Sequence, residues 1–301
     1  ASRPQAQRSG LRNLSNRSDR RAVGSISAIG KLDPMRMVAW LTPLAVLSVA
    51  EARPGPVGII GTFPAEASWL LGQLKGKRKV ALGGLSVHTG TLRGRRVVVM
   101  ISGVGSTNAG AGTALLIERF KPRAVILNGV AGGTGIAATN SIVVGTKVVN
   151  YGFGYQGADG SFAPWPTYQP SFTQRNPLYF PADTKLLARA RAASKTARLA
   201  PLSFGGTTYA PKAIEGVIAS SDNFTVYPPA IAEQNRQTGA IALEEEGASV
   251  AQICRQRGVP CLIVRAISNP AGPDGLQVFE KLGTATAANA QRFVAELVAG
   301  L

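Results

Sequence analysis

The sequence predicts an α/β fold, a three-layer sandwich with a mixed, mostly parallel central sheet covered by helices. From residue 56 onward, short apolar runs alternate with segments of helical periodicity, which is the pattern of strands joined by crossover helices. Thirty-five glycines supply tight turns, and 301 residues of 45% hydrophobic content suffice to bury a large core. We therefore expect one domain over residues 56–301.

The expected elements follow in a regular order. Ser106 is expected to cap the helix that it begins, because a serine hydroxyl accepts a hydrogen bond from the first helical turn. Residues 151–181 are rich in Gly, Pro and aromatics without periodicity, which indicates a long ordered loop. Strands are expected at 57–61, 85–92, 97–101, 124–127, 141–149, 216–220, 241–244 and 261–267, and helices at 66–74, 106–120, 184–194, 247–257 and 276–301.

The formal net charge of +17 is unevenly spread. Residues 1–36 hold eight basic and two acidic residues, and the remaining charges are scattered with little aromatic interleaving. A basic solvated surface explains this pattern better than a nucleic-acid site, so we expect no nucleic-acid partner.

The N-terminal region resembles a targeting signal. Residues 1–34 are expected to be a basic disordered leader, and 35–52 a signal-peptide-like segment with cleavage near Ala52, because Arg36 precedes an apolar run and a small-x-small triplet ends it. The apolar run of about 14 residues is too short to span a bilayer comfortably. We expect export to the periplasm or medium without stable membrane insertion, and a cytoplasmic protein is the alternative.

Cysteine and histidine are too sparse for a structural metal site. The chain has one histidine, His88, and two cysteines, Cys254 and Cys261, with no metal-ligand spacing. We expect no metal and two buried free thiols, and a disulfide stays open if the protein is exported.

Three consecutive carboxylates stand out at residues 244–246. They lie where a short apolar strand meets an apolar-faced helix. Burying even one ionised carboxylate costs several kcal/mol unless a cation or hydrogen-bond donors compensate its charge. Since ligands bind at strand ends in open α/β sheets, the segment predicts a binding site there.

Three common site motifs are absent or weak. The sequence GVG at 103–105 lacks the third glycine and the following acidic residue of a dinucleotide fingerprint. No P-loop motif and no G-x-S-x-G motif is present. The single histidine, in a strand-like segment, argues against a Ser-His-Asp triad.

Six motifs occur together in the order of one family. They are GIIG at 58–61 followed by Glu66, SGVG at 102–105, NGVAGG at 128–133, SDNF at 221–224, LEEE at 243–246 and VRAIS at 264–268. The chain resembles the methylthioadenosine/S-adenosylhomocysteine nucleosidases of the purine nucleoside phosphorylase-like superfamily. The resemblance covers roughly 56–301, with 151–181 longer and more divergent, and implies the nucleoside phosphorylase-like fold.

The resemblance also implies catalytic roles. N-glycosidic cleavage passes through a sugar cation resembling an oxocarbenium ion. By resemblance, Glu66 activates water and Glu246 binds the ribose hydroxyls and stabilises the cation. Phe224 stacks on the purine, the backbone of Thr225 contacts it, and Phe279 forms an apolar wall. Without the resemblance, Glu66 reads as a helix N-terminal acid and the aromatics as core. The other implied substrate contacts are Val104, Ala131, Gly132, Glu244, Glu245 and Ser268.

Three residues depart from the family pattern. Asn269 replaces the Asp that hydrogen-bonds or protonates the purine N7, and a carboxamide donates a hydrogen bond but delivers no proton. Glu245 replaces a Met that packs under the ribose, which would favour a hydroxyl or a cation over a thioether at the 5′ position. Val130 replaces a small polar residue near the water.

Water is the expected nucleophile. Related phosphorylases place arginines in the first glycine loop and before the glycine-rich turn, but 61–66 and 126–129 hold no Arg or Lys here. The resemblance thus implies a homodimeric N-glycosyl hydrolase without cofactor, acting on 5′-methylthioadenosine or S-adenosylhomocysteine. Two alternatives stay open: a 6-oxopurine nucleosidase for inosine or guanosine, and a weakly catalytic binding or storage homologue.

Overall fold

A computed structural model describes residues 54–301 of the chain. The predicted leader at 1–34 and the signal-like segment at 35–52, with its cleavage site near Ala52, lie outside the described residues. Within 54–301, none of the helices is long and apolar enough to cross a membrane.

Fourteen strands and six α-helices make up the described part. The strands are β1 (Val57–Gly61), β2 (Lys75–Leu82), β3 (Leu85–Leu92), β4 (Arg95–Ile101), β5 (Ala124–Gly133), β6 (Ser141–Asn150), β7 (Gly154–Gln156), β8 (Phe162–Pro164), β9 (Tyr179–Pro181), β10 (Leu202–Phe204), β11 (Thr207–Tyr209), β12 (Lys212–Ser220), β13 (Ala240–Glu244) and β14 (Cys261–Asn269). The helices are α1 (Ser68–Gln73), α2 (Ser106–Phe120), α3 (Thr184–Thr196), α4 (Pro228–Thr238), α5 (Gly247–Gln256) and α6 (Gly275–Ala299), and a 3-10 turn spans Pro64–Glu66.

A mixed sheet forms the centre of the fold, as predicted. Its strand order is β13-β12-β6-β14-β5-β1-β4-β3-β2, with β9 added beside β6. Parallel pairings join β4, β1, β5 and β14, and also β6, β12 and β13, whereas β2, β3 and β4 pair antiparallel. Strand β13 also pairs antiparallel with the end of β5, through Ala242 opposite Gly133. This last pairing draws the ends of β5 and β13 together.

Two apolar cores, one on each face of the sheet, confirm the three-layer arrangement. On one face Leu70 of α1, Leu186 of α3 and Phe293 of α6 pack against the strands. On the other face Leu116 of α2 and Val250 of α5 do so. The strands buried on both faces read as continuous apolar runs, which is why their sequence lacks alternation.

Several local predictions need correction. Ser106 does not cap α2: the N-cap is Gly105, at a φ of +94°, and the carboxylate of Asp222 accepts hydrogen bonds from the Ser106 N–H and hydroxyl instead. The helix predicted at 66–74 is a 3-10 turn followed by the short α1. The loop predicted at 151–181 holds the short strands β7, β8 and β9.

Four elements were not predicted at all, namely β2, the β10–β11 hairpin and α4. The β2 sequence, KGKRKVAL, lacks an apolar face and is a strand because β3 offers it a hydrogen-bonding partner. Cys254 is buried, Cys261 is half-buried, and both thiols are free.

Candidate active site

A cavity of about 760 Å³ opens where the carboxyl ends of the central strands meet. Segments that follow β1, β4, β12, β13 and β14 contribute to its wall, together with the end of β5. Eleven of the twelve predicted site residues line it: Glu66, Val104, Ala131, Gly132, Phe224, Glu244, Glu245, Glu246, Ser268, Asn269 and Phe279. The fold thus gathers residues that lie up to 213 positions apart in the chain, from Glu66 to Phe279.

Thr225 is the exception. Its side chain is absent from the cavity wall, and its hydroxyl donates a hydrogen bond to the carbonyl of Asn223 at 3.2 Å.

Glu66 is buried at one end of the cavity, with 1% of its surface exposed. One carboxylate oxygen accepts hydrogen bonds from the Thr62 N–H at 2.6 Å and the Thr62 hydroxyl at 2.8 Å. The other oxygen accepts from the Val130 N–H at 2.8 Å. The 3-10 turn after β1 returns the chain toward the sheet, which is why an acid five residues beyond the strand points inward.

Glu244 holds the start of α5. Its carboxylate accepts hydrogen bonds from the N–H groups of Glu246 and Gly247, at 3.0 Å and 2.8–2.9 Å, and from the hydroxyl of Ser220. An acid that binds the free N–H groups of a first helical turn stabilises the helix start. The first glutamate of the triplet is therefore structural in its contacts, although it borders the cavity.

Arg265 connects the carboxylates. It lies on β14, is 1% exposed, and its Nη2 donates to Glu246 at 2.8 Å and also to Glu244. Its Nη1 lies 3.6 Å from an oxygen of Glu66. Glu66 and Glu246, 180 positions apart in the sequence, thus share one guanidinium at one side of the cavity. A Cβ at Gly129 would collide with both Arg265 and Glu66, so glycine is required there.

Burial and the neighbouring charges together shift the pKa values of Glu66, Glu246 and Arg265. Burial raises the pKa of Glu66, although Arg265 and the hydrogen bonds oppose the rise. Burial likewise raises the pKa of Glu246 to about 7, opposed by Arg265 and the Gly105 N–H, which donates to this carboxylate at 2.9 Å. Burial alone would lower the pKa of Arg265, but Glu244, Glu246 and Glu66 outweigh it and hold the guanidinium charged. Glu246 therefore titrates close to neutral pH.

Glu245 differs from its two neighbours. It is half-buried, lines the cavity, and accepts no hydrogen bond from the part of the chain that the structure describes. Burial raises its pKa, and the charges of Glu244, Glu66 and Asp222 add to the rise, with Arg265 opposing. Of the three carboxylates in the triplet, this one accepts no hydrogen bond from residues 54–301, whereas Glu244 and Glu246 each accept several.

The opposite end of the cavity is apolar and open. Phe224 is 48% exposed, and its ring lies 5.7 Å from that of Phe279 at a tilt of 60°. Beside them, the Oδ1 of Asn269 accepts a hydrogen bond from the Ser268 hydroxyl at 2.8 Å. That bond fixes the orientation of the carboxamide. Its NH₂ group donates to the carbonyl of Pro270 at 3.4 Å, which leaves one N–H as a free donor, since a carboxamide NH₂ has two.

Sequence reasoning missed Arg265 as a site residue, although it lies inside the VRAIS motif. A signal was present: a lone arginine in an apolar strand is buried, and a buried guanidinium needs carboxylate partners. The role of Asp222 at the start of α2 was also missed, and it has no signal in local sequence because its partner Ser106 is 116 positions away.

The chain was compared with known proteins. The model of the phosphorylase superfamily matches residues 56–299. A 5′-methylthioadenosine/S-adenosylhomocysteine nucleosidase of Psychromonas ingrahamii is 33% identical over 253 residues, which cover 81% of this chain and 99% of the relative. The nucleosidase of the same name from Mycobacterium tuberculosis is 30% identical over 246 residues, or 80% and 96% of the two chains. The chain belongs to this nucleosidase family.

Solved structures of the nucleosidase family share the fold. The Neisseria meningitidis enzyme in complex with methylthio-immucillin-A superposes with a TM-score of 0.71 at 30% identity, covering 82% of this chain and all of that one. A futalosine hydrolase of Helicobacter pylori reaches a TM-score of 0.70 at 25% identity, over 82% and 98% of the two chains. As a member of a nucleosidase family, the chain is an N-glycosyl hydrolase.

Proposed function

We propose that this enzyme hydrolyses the N-glycosidic bond of purine nucleosides, with 5′-methylthioadenosine and S-adenosylhomocysteine as its substrates. The observation that carries the proposal is the shared contact of Glu66 and Glu246 with Arg265 at one side of a cavity large enough for a nucleoside. The names of the relatives at 30–33% identity point to the same two substrates.

In the proposed reaction, the C1′–N9 bond breaks and a ribosyl cation develops. Glu246 accepts hydrogen bonds from the ribose hydroxyls through the lone pairs that Gly105 and Arg265 leave on its two oxygens, and its charge opposes the growing positive charge. Glu66 takes a proton from water as the water oxygen bonds to C1′. The purine leaves with the electrons of the broken bond and takes a proton from solvent, and Glu66 returns its proton to solvent. Arg265 keeps both carboxylates oriented and lowers the energy of their ionised forms.

The purine is proposed to lie between Phe224 and the wall made by Phe279. The Asn269 NH₂ group would donate a hydrogen bond to N7, because Ser268 occupies the carboxamide oxygen. A hydrogen bond steadies the negative charge of the leaving base without transferring a proton, so the reaction relies on cation stabilisation at the sugar more than on acid catalysis.

Water rather than phosphate fits the charges of the cavity. Its wall, as the structure describes it, has five carboxylates and a single cation, and that cation is Arg265, which is engaged by three of the carboxylates. A phosphate ion would meet net negative charge and no free guanidinium or ammonium group.

The test is a nucleoside panel. Purified protein is incubated with 5′-methylthioadenosine, S-adenosylhomocysteine, adenosine, inosine and guanosine, with and without phosphate, and the free base and sugar are identified by chromatography and mass spectrometry. We expect adenine and a free thioribose that does not depend on phosphate. Ribose 1-phosphate products, faster hypoxanthine release, or binding without base release would each contradict the proposal.

We further propose that the enzyme is a homodimer. The support is a group of four exposed aromatic side chains in residues 151–181, since aromatic side chains are enriched at protein–protein interfaces. Two stacked pairs form this group: Tyr155 with Trp165, and Tyr168 with Phe172, the last 76% exposed. Light scattering after gel filtration should give twice the chain mass, and Phe172→Ser should weaken the dimer whereas Leu115→Ser, an exposed apolar change on α2, should not.

We also propose export with cleavage near Ala52. The support is the sequence pattern of residues 35–52. Expression of the whole chain in a bacterium, followed by fractionation and N-terminal sequencing, should find a protein beginning just after Ala52 outside the cytoplasm. An Ala52→Arg variant should stay unprocessed, and an intact chain in the cytoplasm would contradict the proposal.

A further inference from the structure

Most of the net positive charge of residues 54–301 lies in one segment. Residues 75–123 contain ten Lys and Arg and a single acid, Glu118. The structure brings four of these cations around one groove of about 530 Å³: Lys75 and Arg78 from β2, Arg96 from β4 and Arg119 from α2. We call this the basic groove. No carboxylate lines it within residues 54–301.

Strand register places these charges on the same face of the sheet. Lys75 lies opposite Thr91, and Thr91 opposite Arg96, so their side chains emerge side by side. Arg78 lies opposite Thr89, two residues along on that face. All four cations are exposed, and none forms an ion pair with a carboxylate of the described residues. Neighbouring like charges repel one another, so an anion bound in the groove lowers the electrostatic free energy of these cations.

Nucleic acid does not fit the groove well. Single-stranded nucleic acid binds where cations alternate with aromatic rings on which bases stack. Phe120 is the one aromatic residue in the described wall of the groove, and the guanidinium of Arg119 lies 5.7 Å from the centre of its ring. The groove thus offers charge and two threonine hydroxyls, which suit phosphate groups on a surface.

The position of the groove along the chain indicates which kind of surface the groove binds. Pro56 lines the groove just before β1 begins. The apolar run of 37–50 ends six residues earlier, and six residues reach at most about 20 Å. Before cleavage near Ala52, a bilayer that engages the apolar run therefore lies within about 20 Å of Pro56 along the chain.

We propose that the basic groove docks the domain on a membrane surface by binding the phosphate headgroups of anionic lipids. Each cation near an anionic bilayer adds to the attraction, and the sum falls with salt. This inference is independent of the nucleosidase reaction, because no residue of the groove lines the active-site cavity.

The experiment is co-sedimentation of the full chain with vesicles. Vesicles of phosphatidylcholine alone are compared with vesicles containing one third phosphatidylglycerol, at low and high salt. The test variant combines Lys75→Glu, Arg78→Glu and Arg96→Glu. The matched control combines Lys185→Glu, Lys195→Glu and Arg198→Glu, three exposed cations on and after α3. Thermal unfolding by circular dichroism checks the fold of each, and a milder Lys75→Gln, Arg78→Gln, Arg96→Gln variant replaces the first if it does not fold.

We expect the wild type and the control to prefer the anionic vesicles. The neutral variant should lose about a hundredfold in partition coefficient, at about 1 kcal/mol for each of three cations, and the charge-reversed test variant should lose the preference entirely. Equal binding to both vesicle types, equal loss in the control, or tighter binding to a single-stranded DNA oligonucleotide than to anionic vesicles would overturn the proposal.

Discussion

The two ends of the active-site cavity are held in different ways. Around Arg265, buried carboxylates accept hydrogen bonds from the guanidinium and from surrounding backbone N–H groups, and the Nε of Arg265 is left without a hydrogen-bond partner among the described residues. Around Phe224, an exposed ring has one described aromatic neighbour, and Asn269 is fixed by a single good hydrogen bond from Ser268. We name them the sugar end and the base end. Charges at the sugar end are oriented before any ligand arrives, whereas the base end is completed by the ligand.

This difference separates chemistry from selectivity. A change at the sugar end disturbs the buried hydrogen bonds and ion pairs around Arg265, so it should affect folding and turnover together. A change at the base end should alter which base leaves, and how fast, with little effect on the fold. The predictions that follow test this separation.

The largest effect is expected for Arg265→Met. Removing the cation leaves carboxylates buried without their counter-charge, so the free energy of unfolding should fall by about 3–5 kcal/mol. Urea denaturation at pH 8 measures it. The loss should shrink at pH 5.5, because the carboxyl groups then escape the penalty by binding protons. In the control, Arg191→Met breaks an exposed pair with Glu215 and should cost less than about 1 kcal/mol. Equal losses in the two variants would show that the network is not what stabilises the fold.

Glu66→Gln should be next in size. The variant keeps the shape of the side chain but removes the base, so kcat should fall by about 10²–10⁴-fold with KM nearly unchanged. Steady-state release of adenine measures both constants. Glu118→Gln, an exposed change on α2, is the control. A variant with normal kcat would remove Glu66 from the reaction.

Asn269→Asp tests the base end. A carboxylic acid there can give a proton to the leaving purine, so kcat on adenine nucleosides should rise by about ten- to a hundredfold. The new acid should also add a falling limb to the pH profile at high pH. The urea midpoint should stay close to that of the wild type, in contrast to Arg265→Met. A change confined to KM would mean that residue 269 binds the base without assisting its departure.

Much of this site was predictable from sequence, and the parts that were not have a common cause. The triplet 244–246, Glu66 and the aromatics were found because motifs and strand ends are local features. The different contacts of Glu244, Glu245 and Glu246 were not predicted. They depend on Ser220, Gly105 and Arg265, which lie outside this segment of the chain.

The same distinction holds for the fold. Strand β1 was predicted at its observed bounds because it is a short continuous apolar run, and helix α2 because its apolar residues recur with helical spacing. Strand β2 was missed because tertiary pairing with β3 overrides a charged sequence, and the cap of α2 was misassigned because Asp222 reaches it from another segment. Non-local partners are what a single sequence does not reveal.

The pH profile should reflect the sugar end. Glu246 has to be ionised to oppose the ribosyl cation, and its pKa is raised to about 7. A carboxylate is lost as pH falls through its pKa, so kcat should drop by about tenfold between pH 8 and pH 6. The profile of kcat against pH measures this, with the protein shown to be folded at both values. If kcat instead fell only near pH 4.5, the charge of Arg265 would fully offset the effect of burial on the pKa of Glu246.

The smallest effect is expected for Glu245→Met. This carboxylate lines the cavity and has no hydrogen-bond partner among residues 54–301, so it has to be desolvated by any substrate that packs against it. A thioether side chain removes that cost, and KM for 5′-methylthioadenosine should fall by about three- to tenfold while kcat stays within about twofold. Glu245→Gln separates charge from shape: if charge is the cause, the amide should recover part of the gain. If both variants instead raise KM, Glu245 makes a favourable contact with the nucleoside, and the sugar end then extends to a third glutamate whose partner is the substrate itself.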